Sequence, residues 1–236
     1  MSHAADAVQL AGRALGPQRH VCAFFQSRDQ EYRTLLPFVK EGLERGEKAV
    51  HIVDPALRAE HRSRLASAGI DVATAEHRRQ LEILDWDKTY LRERPFNWRA
   101  MSEVVEGMLR QARADGFPRS RLIGHGEWAL PDSSAIQVDY ESRMNEVLSA
   151  YDDPVVCAYD RSRLSAGTMT DLLRAHPTVV VDGVLLDNPC FQPPARFLPR
   201  LRDRPVALLH DRFLTALVAG ASGEGLDILL DEALAD

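Results

Sequence analysis

Short apolar runs alternate with stretches of helical periodicity along most of this chain. His20-Val21-Cys22-Ala23-Phe24-Phe25 and Lys48-Ala49-Val50-His51-Ile52-Val53 have the length and composition of buried strands. Between them, Ser27-Arg28-Asp29-Gln30-Glu31 offers a cap and early acidic charge for a helix that places Leu35, Leu36, Phe38, Val39 and Leu43 inward and stops at Gly46. Pro37 predicts a kink in that helix or a later start. Asp54-Pro55 opens a second helix reaching Ala68-Gly69. Further strands are predicted at Leu81–Leu84, Arg121–Gly124 and Val155–Tyr159, with 85–97 as an aromatic loop. A helix is predicted from Trp98 to Ala114, through Met101, Val104, Val105, Met108, Leu109 and Ala112. Two more follow, one capped by Asp132-Ser133 and one over Ser165–Ala175. Val179–Leu186 reads as a hairpin turning at Asp182-Gly183. Alternating strands and helices of this kind predict an α/β fold, with a mostly parallel sheet covered on both faces.

Both ends depart from that pattern. Residues 1–17 are Ala-rich, end at Gly16-Pro17 and read as a flexible leader. After Pro193-Pro194 the chain reads as a helical appendage, residues 194–236. Pro205 starts one helix there, with Val206, Leu209, Phe213 and Leu217 on one face. Gly220–Asp236 carries five acidic residues, no basic one, and several leucines.

Composition narrows the classes. The chain has 236 residues, 45% of them hydrophobic, enough for a core and against disorder as the main state. It lacks an 18-residue apolar run and an apolar leader, so the expectation is a cytoplasmic protein without a membrane partner. Three cysteines, Cys22, Cys157 and Cys190, do not suggest a disulfide framework. A net charge of −6 argues against nucleic acid as a direct partner.

The segment Pro37-Phe38-Val39-Lys40-Glu41-Gly42-Leu43-Glu44-Arg45-Gly46-Glu47-Lys48-Ala49-Val50 resembles the entry to the second strand of RecA/KaiC-like ATPases. Further blocks are His20–Phe25, Leu81–Tyr90, Gly126-Glu127-Trp128, Tyr140-Glu141 through Asn145, Cys157-Ala158-Tyr159-Asp160, and His176-Pro177 with Asn188. In their order and spacing the chain resembles the MEDS family, the methanogen/methylotroph DcmR-type sensory domain, over residues 18–193. The resemblance implies a RecA-like three-layer fold used to sense small molecules, with a hydrocarbon-like ligand proposed for the family.

The turn that holds phosphates in RecA-like ATPases here reads Phe25-Gln26-Ser27-Arg28-Asp29-Gln30-Glu31, without glycine or lysine. The strand that there carries a metal-holding acid ends here in Gly124. ATP hydrolysis is therefore not expected, and neither is a nucleotide cofactor. The expected ligand site lies at the carboxyl ends of the strands, lined by Phe25, Arg28, Tyr90, His125, Glu127, Trp128, Glu141, Tyr159 and Asp160. Two roles stand for Glu127, a hydrogen-bonding or proton-accepting group on the pocket floor, or a structural carboxylate paired with Arg121 or another buried Arg. Trp128 is either a pocket wall or a core aromatic. Glu141 and Asn145 share a helix face, turned toward a ligand or toward loop backbone. His20, Cys22 and Cys157 are the candidates for a metal or haem, against the commoner account of buried thiols. His176 reads as a helix end, its imidazole meeting the last carbonyls.

No nucleophile elbow or triad spacing marks an enzyme. The leading expectation is a ligand-sensing regulatory protein that signals through a partner protein or a second copy by way of residues 195–236. A nucleotide-binding protein or enzyme with altered RecA-like chemistry, or a metal or haem sensor, are the alternatives.

Overall fold

The computed structural model describes residues 7–93, 95–129 and 134–202. A seven-stranded sheet forms its centre. Its strands are β3 (His20–Phe25), β4 (Lys48–Val53), β5 (Leu81–Asp85), β6 (Ser120–His125), β7 (Val155–Asp160), β8 (Thr178–Val181) and β9 (Val184–Asp187). Their spatial order is β5-β4-β6-β7-β3-β8-β9, parallel throughout except for β9, which returns antiparallel beside β8. Asp182 and Gly183 make that hairpin turn at positive φ, 50° and 80°, as its Asp-Gly sequence predicts. The result is the expected three-layer, RecA-like α/β fold.

Side chains alternate across the sheet, and so the strands supply two cores. Val21, Ala23 and Phe25 of β3 face α1 (Arg28–Glu44), α2 (Arg58–Ser67) and α3 (Val72–His77). Cys22 and Phe24 face α4 (Trp98–Ala114), α5 (Ser134–Leu148), α6 (Ala166–Ala175) and α7 (Pro194–Arg202). Among the described residues, no helix is long and apolar enough to cross a membrane.

Helix α1 runs unbroken through Pro37. Pro37 lies on the exposed side, where the carbonyl it leaves unpaired can meet water, while Tyr32, Leu35, Phe38 and Val39 bury the other side. Gly42 is required on that inner face, since a Cβ there would stand 2.5 Å from Nε of the buried Arg121. The predicted second helix divides into a 3₁₀ turn, Pro55–Leu57, and α2. Helix α4 has the predicted bounds.

Three features depart from the sequence expectation. The leader, in its residues 9–14, is a β-hairpin of β1 (Gln9–Leu10) and β2 (Arg13–Ala14). Val8, Leu10 and Leu15 are buried in the α1-side core, which gives this segment its reason to fold. Helix α3 fills a stretch without a clear apolar period, and Asp71 caps it by accepting from the Thr74 amide at 3.0 Å. Helix α7 begins the appendage earlier than Pro205, with Phe197 buried in the α4–α7 core. The expected Asp132-Ser133 cap, the 205–217 helix and the acidic residues 220–236 lie outside the described residues.

Candidate functional site: a cleft at the carboxyl ends of the strands

Strand ends converge with the amino end of α1 and the inner side of α2 on a cavity of about 70 Å³. Phe25, Val53, Leu57 and Trp86 supply apolar wall, and Arg28, Glu31, Tyr32, His61, His125, Glu127, Asp160 and Arg163 the polar groups. Five of the nine residues expected for a ligand, Phe25, Arg28, His125, Glu127 and Asp160, meet here.

Ser27 starts α1 by accepting from the Gln30 amide at 3.3 Å, and the Gln30 carboxamide accepts from the Gln26 amide at 2.7 Å. Side chains of this chain thus take up amides at the turn where RecA-like ATPases offer them to phosphate. On β6, Gly124 has a packing reason as well: a Cβ there would collide with the Tyr90 hydroxyl.

His61 and His125 line the cleft, and the fully buried His51 stands behind His61. His125 Nε2 donates to Glu31 Oε1 at 2.7 Å and Nδ1 donates to the Ile52 carbonyl at 3.1 Å, so both ring nitrogens face acceptors. Burial opposes its charge, but Glu31, with help from Glu127, overrides that and holds the His125 pKa up at about 9. Glu31 is correspondingly held below its usual value by His125, against its own burial. His61 has the opposite fate. Burial, then the neighbouring His125 cation, push its pKa down to about 4. Its Nδ1 meets the Tyr32 hydroxyl at 2.9 Å and its Nε2 meets His51 Nδ1 at 2.8 Å. His51 is driven well below its usual value by burial and then by His61, and its Nε2 has no hydrogen-bond partner among the described residues. An imidazolium and a pair of neutral imidazoles thus sit side by side, with ring centroids of His61 and His125 6.2 Å apart.

Glu127 does not pair with Arg121. Its Oε1 accepts from the Asp160 amide at 2.8 Å and ties the ends of β6 and β7 together. Arg121 turns instead to the α1 side, toward Glu47 at 2.5 Å, Glu41 at 2.9 Å and the Phe38 carbonyl at 2.5 Å.

The other four expected residues lie away from the cleft. Trp128 stacks on Tyr90 with ring centroids 5.0 Å apart and planes 8° from parallel, and Phe96 packs against it at 4.7 Å. These belong to the α4–α7 core, because the 85–97 loop folds its aromatics over that side and leaves only Trp86 at the cleft. Glu141 and Tyr159 are buried on the same side, with the Tyr159 hydroxyl donating to Glu141 at 2.8 Å. Around Glu141 stand His20, Cys157 and His176. Cys22 is the register partner of Cys157 in β7 yet is not one of this group. Asn145 faces inward too, accepting from His20 Nδ1 at 3.1 Å.

Sequence reasoning missed Glu31, Tyr32, His51, His61 and Trp86. The available signal was His51 at the middle of a strand and His61 in the following helix, two imidazoles on consecutive elements of one face.

No curated protein matches the chain. Residues 19–177, two thirds of the length, match the family described as MEthanogen/methylotroph, DcmR Sensory domain. Together with the mostly parallel α/β sheet, that match places the chain in the MEDS family of sensory domains.

Proposed function

We propose that this protein senses a small organic molecule of a few heavy atoms, bound in the cleft between α1, α2 and the carboxyl ends of β3, β4, β6 and β7. It acts by binding and not by catalysis. The observation that carries this reading is the cavity's mixed lining: aromatic and aliphatic walls over a floor of hydrogen-bonding groups, one of them a partly buried cation, in a chain of a sensory family. At about 70 Å³ the space suits a short apolar body with one polar head, well below the roughly 300–1,000 Å³ of drug-sized pockets. His61 and Tyr32 suit that head, since their shared proton can be offered or withdrawn without a change of net charge. The side-chain-occupied turn at Ser27 supports a ligand other than a nucleoside triphosphate. Output passes to a partner protein or a second copy through residues 195–236, a stretch whose sequence sets Leu226, Leu229, Leu230 and Leu234 among acidic residues.

A thermal-shift panel of short-chain alcohols, aldehydes, ketones and carboxylates, run beside ATP with Mg²⁺, tests this reading. Stabilisation by members of the short-chain panel, lost in His61→Gln and Trp86→Ala, is the expected result. Stabilisation by the nucleotide alone would overturn it.

A further inference from the structure

We propose that His20, Glu141, Cys157 and His176 form a buried binding site for a divalent ion of the zinc class, on the opposite face of the sheet from the cleft. The four come from the start of β3, from α5, from the middle of β7 and from the end of α6, and all are buried. None of them lines the cleft, so the two sites stand or fall separately.

Geometry is the first argument. Zinc bonds of about 2.0–2.3 Å at tetrahedral angles require donor atoms roughly 3.3–3.8 Å apart. Cys157 Sγ lies 3.2 Å from Glu141 Oε2 and 3.5 Å from His20 Nε2. Glu141 Oε2 is 3.3 Å from His20 Nε2 and 3.5 Å from His176 Nε2. All four donors fall within 4.8 Å of one another. Four of the six separations are thus close to the edge lengths of a zinc tetrahedron, and the other two need a shift of about 1 Å at most.

Orientation is the second. His176 Nδ1 donates to the Leu172 carbonyl at 2.7 Å, which leaves the lone pair on Nε2 aimed at the cluster. That Nε2 is fully buried and, among the described residues, makes no hydrogen bond of good geometry, with Glu141 Oε2 standing 3.5 Å away. His20 is fixed in the same tautomer: Asn145 spends its amide hydrogens on the carbonyls of Glu141, Ser142 and Ala175, so its oxygen accepts from His20 Nδ1. The Tyr159 hydroxyl occupies the other carboxylate oxygen of Glu141. Ring nitrogens pinned by a carbonyl and a carboxamide, and a carboxylate pinned by a phenol, are the outer supports that metal ligands use.

Charge is the third. A carboxylate, a thiolate and two neutral imidazoles carry −2, which a divalent ion cancels in a dry interior. Four protein donors leave no open position, so the ion would cross-link β3, β7, α5 and α6 and would not activate water.

The test uses the full chain, stripped with a chelator and titrated with Co²⁺ and then Zn²⁺. The expected result is one ion per chain, a thiolate-to-cobalt charge-transfer band with intense tetrahedral ligand-field bands, displacement by Zn²⁺, and a raised thermal midpoint. Cys157→Ser should lose the charge-transfer band while Cys22→Ser, one strand away, keeps it. Should Cys157→Ser not fold, X-ray absorption of the zinc-loaded wild type decides instead, with one sulfur and three nitrogen or oxygen donors expected. Absence of stoichiometric binding by the wild type, a bound cobalt without sulfur ligation, or loss of the band in Cys22→Ser in place of Cys157→Ser would overturn the proposal and leave a metal-free hydrogen-bonded cluster.

Discussion

The His125–Glu31 pair makes stability depend on pH in a direction that can be worked out beforehand. In the unfolded chain His125 titrates near 6.5, and in the folded protein near 9. Between those values the folded state holds a proton that the unfolded state has released, so stability falls as pH rises. The contribution is complete below about pH 6.5 and gone above about pH 9. At about 1.4 kcal/mol per pH unit, the displacement from 6.5 to about 9 sets a ceiling of about 3 kcal/mol. The pair is 14% and 13% exposed, so solvent screening trims that only modestly, to about 2–3 kcal/mol. Glu31's own depression is the same interaction viewed from its partner and adds nothing further. The assay is urea unfolding of the wild type and of Glu31→Gln across about pH 6 to 9.5. The wild type should lose about 2–3 kcal/mol over that range relative to the variant. Comparison with the variant is needed because burial of Cys22 and Cys157 raises their pKa values, and their release in the unfolded chain steepens both curves alike at the alkaline end. Parallel curves for the two proteins would refute the assignment of His125 as a cation held by Glu31. Below pH 6.5 His61 acts in reverse, since its folded pKa near 4 makes stability fall with pH through that window.

Three packing predictions concern Arg121 and two glycines that other side chains approach closely. Arg121→Met should cost about 1–3 kcal/mol by denaturant unfolding, because it leaves the buried Glu47 with Arg119 as its ion-pair partner and the Phe38 carbonyl short of a donor. Gly42→Ala should be destabilising in the wild type, where its Cβ meets the Arg121 side chain, and much milder in Arg121→Met; additive losses in that cycle would contradict the contact. Gly126→Ala drives a Cβ into the Tyr159 ring and to 2.7 Å from Gln137 Nε2, so a loss of about 1–3 kcal/mol and a lowered thermal midpoint are expected.

Local rules made much of the scaffold legible before any coordinates. Short apolar runs located the central strands, a 3.6-residue period bounded α4, Asp182-Gly183 announced its own turn, and the ordered blocks pointed to the sensory family. Half of the site was legible in the same way, since residues that end parallel strands must gather at one edge of the sheet. Elsewhere the information was not local. Residues 7–15 look like a loose leader because their pattern is too short to count; only the α1-side core makes Val8, Leu10 and Leu15 worth burying. Tyr90 and Trp128 look like pocket walls until the loop's path turns them onto each other. The sharpest case is the group of His20, Glu141, Cys157 and His176. Alternation along β3 puts His20 and Cys22 on one face, as the sequence alone predicts. Which thiol meets His20 depends on strand order, since β7 lies beside β3 in a register that opposes Val155 to His20 and Cys157 to Cys22. Side-chain period decides the face on which a residue stands. Its neighbours there are set by pairings between segments more than a hundred residues apart, which no local pattern encodes.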